Sequence, residues 1–263
     1  MDISIVVPIH NEADNIAALV VEIRAAVDGR HDYEIIYIDD HSTDHGPEVL
    51  TALQESFPRL RCVRHARRSG QSVALLTGVK AARHRLILTL DGDGQNDPAD
   101  IEKILAPFSA GGYESSATMV IGHRTNRRDT RWRRFSSLVA NSVRRWALGD
   151  SVPDSGCGIK AFPRDLFLSL PFFDHFHRFL PPLVKRAGGE VISVPVHHRP
   201  RRHGQSHYGT LGRLWVGIID LFGVMWLMRR GGPRPLALHV YDTSGSPITT
   251  GSSTLKTSRP HPN

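Results

Sequence analysis

The sequence lacks the features that mark disulfide-rich, secreted or repetitive proteins. It holds only two cysteines, Cys62 and Cys157, which are too few and too far apart to indicate a disulfide framework. The apolar run at residues 3–8 follows no basic segment, so we expect a strand there and not a signal peptide. No internal repeat occurs at a fixed period. These absences favour a globular protein in a reducing, cytosolic setting.

Acidic residues are the minority among the charged ones. The formal net charge is +7 and the isoelectric point is near 9.8, so we expect acidic partners such as nucleic acid, anionic lipid headgroups or nucleotide phosphates. Six arginines and one aspartate lie within residues 124–134. This run matches no known nucleic-acid-binding motif, so we expect no nucleic-acid partner. The alternative for the run is a solvated basic face on an anionic membrane surface.

Strands and helices alternate along the first half of the chain. Apolar, β-favouring runs predict strands at residues 3–7, 34–38, 60–63, 86–90 and 118–121, with a further strand at 191–196. Helical periodicity predicts helices at 14–27, 47–56, 72–82 and 98–108, then a helix after residue 134 and others at 176–187 and 211–228. Such alternation predicts an α/β fold with a mostly parallel sheet flanked by helices. No G-x-G-x-x-G follows the first strand, which argues against a nicotinamide or flavin dinucleotide site.

Two carboxylates follow the most apolar of these strands. The strand at 86–90 ends at Asp91, Gly92 and Asp93, with Gln95 two residues later. Open α/β sheets bind ligands at the carboxyl ends of their strands. Oxygen ligands at that place suit Mg²⁺ or Mn²⁺, especially when a diphosphate supplies further oxygens.

Two other interpretations of this segment compete with a metal site. A solvated Asp-Gly turn is common and would suit an isolated motif. An EF-hand loop would use, at its first, third, fifth and twelfth positions, Asp91, Asp93, Gln95 and Glu102. The EF-hand is disfavoured because Asn96 stands where the loop requires glycine and because a strand, not a helix, precedes the segment.

The ends of the first two strands also carry polar residues. Glu12 and Asn11 follow the first strand, where they could contact a nucleoside, although Asn11 could instead simply cap the next helix. Asp40 follows the second strand, where an acidic residue can accept hydrogen bonds from ribose hydroxyls.

Three motifs together resemble the catalytic domain of glycosyltransferase family 2, which has a GT-A fold. They lie at residues 4–12, 38–44 and 90–95, in the order typical of the family. Segments 154–162, 178–181 and 198–209 are similar to the polyprenyl-phosphate branch, which resembles dolichol-phosphate mannose synthase. The resemblance covers roughly residues 1–230. The Q-x-x-R-W signature of processive polysaccharide synthases is absent.

The resemblance implies metal-dependent, inverting transfer of a sugar from a GDP- or UDP-sugar to a polyprenyl phosphate. It assigns the metal, Mg²⁺ or Mn²⁺, to Asp91, Asp93 and Gln95. It assigns the nucleotide-sugar to Pro8, His10, Glu12, Asp40, Asp91 and Gly92, although His10 replaces an aromatic residue often found there. It assigns the acceptor phosphate to Arg124, Lys160, Arg202 and Ser206, with Lys160 the weakest of the four. Asp91, Asp93, Arg124 and Arg202 are the expected catalytic residues.

The chemistry of such an acceptor explains why a strong base is not needed. A sugar hydroxyl must lose a proton, so inverting enzymes usually supply a carboxylate base. A phosphomonoester is already anionic near neutral pH, and the protein has mainly to position it and stabilise the departing diphosphate. Two alternatives stay open: a soluble family 2 enzyme with a sugar or small-molecule acceptor, and a non-catalytic nucleotide-binding protein of the membrane surface.

The expected domains are a catalytic domain at 1–209, an amphipathic membrane-associated helix at 210–230 and a disordered tail at 231–263. Asp220 near the centre of the apolar helix would be costly in hydrocarbon, so we expect a helix on the cytoplasmic face of the membrane that does not span it. A core helix is the alternative. The sequence leaves the oligomeric state undecided and a homo-oligomer open.

Closely spaced histidines also suggest zinc. The pairs are His175 with His177, His197 with His198, and His203 with His207. None combines with cysteine or carboxylate at a structural-zinc spacing, so we expect ordinary polar roles for them.

Overall fold

The structure is a computed structural model that describes residues 1–109, 117–124, 148–149, 152–200, 210–230, 240–241 and 247–248. Two predicted site residues, Arg202 and Ser206, lie outside the described residues. The same holds for the predicted helix after residue 134, for the arginines between 127 and 134, and for most of the tail after 231.

Seven strands and seven helices form the first unit in the described part of the chain. The strands are β1 Asp2–Ile9, β2 Asp32–Asp39, β3 Leu60–Arg64, β4 Leu86–Thr89, β5 Thr118–Arg124, β6 Lys160–Pro163 and β7 Glu190–Val196. The helices are α1 Ala13–Val27, α2 Gly46–Ser56, α3 Gln71–Ala81, α4 Ile101–Ser109, α5 Arg164–Ser169, α6 Leu180–Arg186 and α7 Thr210–Arg229. Two 3₁₀ turns lie at Pro98–Asp100 and Phe176–Arg178.

The seven strands form one mixed sheet in the order β3-β2-β1-β4-β6-β5-β7. Neighbouring strands are parallel except at β6, which runs antiparallel to both β4 and β5. The predicted mostly parallel α/β sheet is therefore confirmed. The chain steps outward from β1 to β3 and then returns to place β4 on the other side of β1. This reversal puts a crevice at the carboxyl ends of β1 and β4, where such sheets bind ligands.

The central strands are buried on both faces, which explains their continuous apolar runs. In β1, Ile3, Ile5, Val6 and Val7 are fully buried, and β4 is buried along its whole length. Because no alternating polar face is needed, each run continues until the strand reaches the crevice. The first polar residues after the runs are therefore the ones that line it.

The structure corrects two expectations in the second half. Strand β6 and helix α5 were not predicted, because a strand of 4 residues and a helix of 6 residues carry too little periodicity to be recognised. The predicted helix at 176–187 is instead a 3₁₀ turn followed by α6. Proline occupies the first turn of α6, where its missing N–H is tolerated but would interrupt a longer helix.

Helix α7 packs one face on the domain and exposes the other. Val224 is buried, whereas Ile219, Phe222 and Trp226 are 55%, 64% and 60% exposed. His175 Nδ1 lies 3.2 Å from Asp220 Oδ2 of this helix, a contact that is an ion pair when the histidine is protonated. Within the described residues, no helix combines the length and apolarity needed to cross a bilayer. The chain divides into units Met1–Gly232 and Pro233–Asn263, and in the second Val240–Tyr241 pairs with Pro247–Ile248.

Candidate active site

The candidate site lies in the crevice at the carboxyl ends of β1, β2 and β4. The register aligns Ile9 of β1 with Asp39 of β2, and Val6 of β1 with Thr89 of β4. The predicted nucleotide-binding residues after β1 and β2 and the predicted metal-binding residues after β4 therefore leave the sheet at the same edge. The structure brings these three motifs together, as the sequence predicts.

Asp91 is held in place from both its backbone and its side chain. Its N–H donates to Asn96 Oδ1 at 3.0 Å, and Gln71 Nε2 donates to Asp91 Oδ1 at 3.0 Å. Gln71 begins α3, so this bond links the helix to the end of β4. Neither Asn96 nor Gln71 was singled out from the sequence, because nothing local marks a side chain that supports another across a crevice.

The charge of Asp91 is unfavourable in the absence of a cation. Its pKa is raised to about 6, first by burial and then by the charge of Asp93, against the opposing effects of Lys160, Arg124 and Gln71. A divalent cation bound beside Asp91 and Asp93 would relieve the repulsion that the charge of Asp93 exerts on the Asp91 carboxylate.

The donor set fits Mg²⁺ or Mn²⁺ with part of the coordination supplied by substrate. Asp93 Oδ1 accepts the Gln95 N–H at 3.1 Å, and Oδ2 of both Asp91 and Asp93 accepts no hydrogen bond from the described residues. Among those residues, no group of three histidine, cysteine or acidic side chains could hold a metal ion. Mg²⁺ typically takes one or two carboxylates and completes its shell with phosphate oxygens and water, which is the arrangement that this pair can offer.

Two glycines allow the segments around Asp91 to approach closely. A Cβ at Gly158 would overlap the Asp91 carboxylate and would lie 2.5 Å from Asn96 Oδ1. A Cβ at Gly92 would overlap the Ile9 side chain. Gly158 is fixed by its carbonyl, which accepts from Thr89 Oγ1 at 2.8 Å. The connection before β6 therefore packs directly on the carboxylate, and only glycine leaves room for it.

The residues after β1 bind the loop after β2. His10 Nδ1 donates to the Asp40 carbonyl at 2.9 Å, and the Asn11 N–H donates to Ser42 Oγ at 3.0 Å. Asn11 adopts a left-handed φ of 57°, and its Oδ1 accepts the Thr43 N–H at 2.8 Å. Asn11 thus does not cap α1, which corrects that alternative. It fixes the two strand ends against each other.

Asp40 is almost fully buried, and both of its oxygens bind the protein. Oδ1 accepts from His65 Nδ1 and from the Ser69 N–H, each at 2.8 Å, and Oδ2 accepts the Gly70 N–H at 2.8 Å. Burial alone would raise the pKa of Asp40, but these hydrogen bonds outweigh it and lower the pKa. In this structure Asp40 therefore positions the loop before α3, next to the edge where a nucleoside is expected.

Arg124 lies at the end of β5 and forms a bidentate ion pair with Asp154. Its Nε lies 2.5 Å from Asp154 Oδ2 and its Nη2 lies 2.8 Å from Oδ1. The sequence predicted Arg124 but not its partner. The pair fixes the plane of the guanidinium, and the Nη1 edge makes no hydrogen bond to the described residues.

Asp91 also lines a cavity of about 200 Å³. Its polar lining is Gln71, Thr89, Asp91, Ser155, Lys160, His177 and Arg178. Lys160 is buried and donates to the Cys157 carbonyl; burial lowers its pKa, against the opposing charge of Asp91. Burial, with the charges of Lys160 and Arg178, lowers the pKa of His177 to about 3. His177 Nδ1 lies within hydrogen-bond distance of Ser72 Oγ, at 2.8 Å. With its lowered pKa, His177 is an uncharged residue of the cavity lining at neutral pH, in line with the polar role expected for it.

The segment that precedes residues 201–209 lies beside the turn at residues 91–95. The Arg199 N–H donates to the Gln95 carbonyl at 3.0 Å, and its guanidinium lies 2.6 Å from both Glu22 and Asp97. Arg199, three positions before Arg202 in the sequence, therefore lies next to Gln95.

Comparison with known proteins agrees with this geometry. The model of Glycosyl transferase family 2 matches residues 4–170, which include most of β1, all of β2 to β6 and the whole Asp91 turn. The chain belongs to glycosyl transferase family 2. It is therefore a glycosyltransferase by family, and the resemblance predicted from its motifs is confirmed.

Curated relatives place this family member in the polyprenyl-phosphate branch. The dodecaprenyl-phosphate galacturonate synthase of Rhizobium johnstonii is 34% identical over 237 residues, covering 87% of this chain and 68% of that protein. The undecaprenyl-phosphate 4-deoxy-4-formamido-L-arabinose transferase of Edwardsiella ictaluri is 31% identical over 211 residues, covering 80% of this chain and 63% of that protein. The chain spans about two thirds of the length of these relatives.

Solved structures confirm the predicted GT-A fold. The glucosyl-3-phosphoglycerate synthase of Mycobacterium tuberculosis in complex with Mg²⁺ and UDP has a TM-score of 0.64 at 22% identity, covering 89% of this chain and 81% of that one. Its complex with Mn²⁺, UDP and glucosyl-3-phosphoglycerate gives 0.60 at 23% identity, with the same coverage of both chains. At these identities the similarity concerns the fold alone.

Proposed function

We propose that this family 2 chain transfers a sugar from a nucleotide-sugar to the phosphate of a polyprenol, at the cytoplasmic face of a membrane. Relatives named for dodecaprenyl phosphate and undecaprenyl phosphate support a lipid phosphate as acceptor. The UDP in the structures of similar fold favours a UDP-sugar over a GDP-sugar. An acidic or amino sugar is the first to test, given the galacturonate and formamido-arabinose of those relatives.

One observation carries the proposal: among the described residues, the cavity is lined by cations and by no carboxylate other than Asp91, which the proposal assigns to the metal. Lys160 and Arg178 line it, and His177, whose pKa is about 3, is bound to Ser72. Apart from Asp91, the described lining contains no carboxylate. A hydroxyl acceptor would need a group to take its proton, whereas a phosphomonoester needs only positive charge and correct orientation.

The donor is assigned to the crevice at the strand ends. Asp91, Asp93 and Gln95 would hold Mg²⁺ or Mn²⁺, which when bound would neutralise charge on the leaving diphosphate. The nucleotide-sugar would contact Pro8, His10, Glu12, Asp40, Asp91 and Gly92. Because the Asp40 carboxylate already accepts three hydrogen bonds, its contribution to the nucleoside is mainly the shape of the loop that it fixes.

The acceptor phosphate is assigned to Arg124, Lys160, Arg202 and Ser206. Asp154 holds the guanidinium of Arg124 by two of its nitrogens, so the remaining edge can face a phosphate oxygen without a further loss of side-chain freedom. Arginine suits this role because its planar fork stays charged and binds phosphate bidentately.

Helix α7 is proposed to lie on the membrane surface. Ile219, Phe222 and Trp226 share its exposed face, and the Arg230 guanidinium lies 5.2 Å from the centroid of the Trp226 ring. Aromatic residues beside arginine are typical of helices at the boundary between headgroups and hydrocarbon. The net charge of +7 suits an anionic surface.

The deciding experiment supplies the purified chain with Mn²⁺, a panel of UDP- and GDP-sugars, and either a polyprenyl phosphate or the matching polyprenol. We expect metal-dependent transfer to the phosphate only, and a loss of at least about 100-fold in Asp93→Ala. Asp165→Ala, which removes an exposed carboxylate from α5, is the control and should retain activity. Equal transfer to the polyprenol, or intact activity in Asp93→Ala, would contradict the proposal.

A further inference from the structure

Among the described residues, Arg178 is one of the two cations that line the cavity. It begins the segment 178–181 that carries part of the resemblance, but neither the resemblance nor the proposed function names it among the residues that bind the acceptor phosphate. It ends the 3₁₀ turn Phe176–Arg178 and lines the same cavity as Asp91. Its backbone N–H donates to the His175 carbonyl at 3.0 Å, which closes the turn. Its guanidinium has no ion pair or hydrogen bond with the residues that the structure describes.

Within the described residues, this lack of a partner distinguishes Arg178 from other half-buried arginines of the domain. Arg124 is paired with Asp154, Arg199 with Glu22 and Asp97, and Arg61 with Glu34. Arg178 is only partly exposed, so its charge is partly removed from water, and none of the described carboxylates pairs with it. A charge in this situation gains most from an anionic ligand.

The turn that carries Arg178 also lies between the cavity and α7. On one side, His177 binds Ser72 of α3 and lines the cavity. On the other side, His175 Nδ1 lies 3.2 Å from Asp220 Oδ2 of α7. If α7 lies on the membrane, Arg178 is on the side of the cavity from which a lipid acceptor arrives.

We propose that Arg178 binds the phosphate of the lipid acceptor, an inference that rests on the proposed function. The phosphate dianion takes the place of a carboxylate partner for Arg178. It is held in the cavity that Arg178 and Asp91 both line. Arg178 then belongs to the binding of the acceptor and not to that of the nucleotide-sugar.

The test compares the steady-state kinetics of wild type, Arg178→Gln and Arg178→Lys with a short-chain polyprenyl phosphate in detergent, which removes any effect of membrane docking. In Arg178→Gln we expect the KM for the acceptor to rise about 10- to 100-fold, the range for losing a hydrogen bond to a charged group. The KM for the donor and the thermal shift by UDP with Mn²⁺ should change less than about twofold. Arg178→Lys should be intermediate, because lysine keeps the charge but not the fork.

Arg30→Gln is the matched control. Arg30 follows α1 at the opposite end of the sheet and is largely exposed, so the same change of charge should leave both KM values unaltered. An unchanged acceptor KM in Arg178→Gln overturns the inference. So does a rise confined to the KM of a uronic-acid donor, which would assign Arg178 to the sugar carboxylate. If Arg178→Gln does not fold, an unaltered acceptor KM in Arg178→Lys overturns it equally. Failure of the wild type to use any polyprenyl phosphate would instead refute the proposed function.

Discussion

Replacing Gly158 by alanine tests whether the connection before β6 holds the carboxylate of Asp91, the proposed metal ligand, in place. The new Cβ would overlap the Asp91 carboxylate and lie 2.5 Å from Asn96 Oδ1, where ordinary contact begins at 3.4 Å. Asn96 would have to move by about 0.9 Å, and Asn96 is the group that accepts the Asp91 N–H. The substitution therefore displaces Asp91 from two directions at once.

The magnitudes follow from this displacement. Overpacking a well-packed site typically costs about 1–3 kcal/mol of unfolding free energy, which for a domain of this size lowers Tm by about 2–12 °C. A misplacement of about 1 Å at a reacting centre can lower the rate about 100-fold. We therefore expect Gly158→Ala to fold, with a modestly lower Tm, but to lose most of its activity and to need more Mn²⁺ for half-maximal rate.

Gly156→Ala is the matched control for this experiment. Its Cβ would meet Arg124 Nη2 and Asp154 Oδ1 at 3.7 Å, which is ordinary van der Waals contact. The assay is the initial rate of sugar transfer against Mn²⁺ concentration, with thermal unfolding of each variant in parallel. The reasoning is refuted if Gly158→Ala keeps the wild-type rate and Mn²⁺ dependence, or if Gly156→Ala loses activity to the same extent.

Three further predictions follow from the site and from α7. The pKa of Asp91 is about 6, so the folded state binds a proton there more tightly than the unfolded chain does, and without metal the stability that this proton contributes is lost as the pH rises through about 6. Because Mn²⁺ competes with the proton, it should raise Tm more at pH 7.5 than at pH 5. An equal rise in Tm at the two pH values would contradict this. Asp40→Asn should lower the free energy of unfolding by about 1.5–3 kcal/mol at neutral pH. Because the pKa of Asp40 is lowered in the folded state, this difference from wild type, measured by urea unfolding, should shrink as acid protonates Asp40. A difference that stays constant with pH would count against the stabilising role of the hydrogen bonds to the Asp40 carboxylate. Phe222→Ser should weaken binding to anionic vesicles by about 10- to 100-fold in a flotation assay, while Val21→Ser, at an exposed site on α1, should not; equal effects would argue against docking through α7.

Much of the fold could be predicted because its signals are local. The strands at the centre of the sheet are buried on both faces, so each is a continuous apolar run, and the residues that end those runs are the ones that line the crevice. Asp91, Asp93, His10 and Asp40 could be located in this way before any coordinates. Strand β6 could not, since its 4 residues pair antiparallel with β4 and β5 across long connections.

The sequence by itself determined the family, the α/β class and the strand ends at which the acidic residues lie, because periodicity and motif order are properties of neighbouring residues. Only the tertiary structure decided which groups support them. Gln71 reaches Asp91 across 20 positions and Asp154 reaches Arg124 across 30, and no local pattern encodes such pairs. The same holds for Gly158 against Asp91 and for Arg178, whose role depends on which charges the folded chain places near it and which it does not.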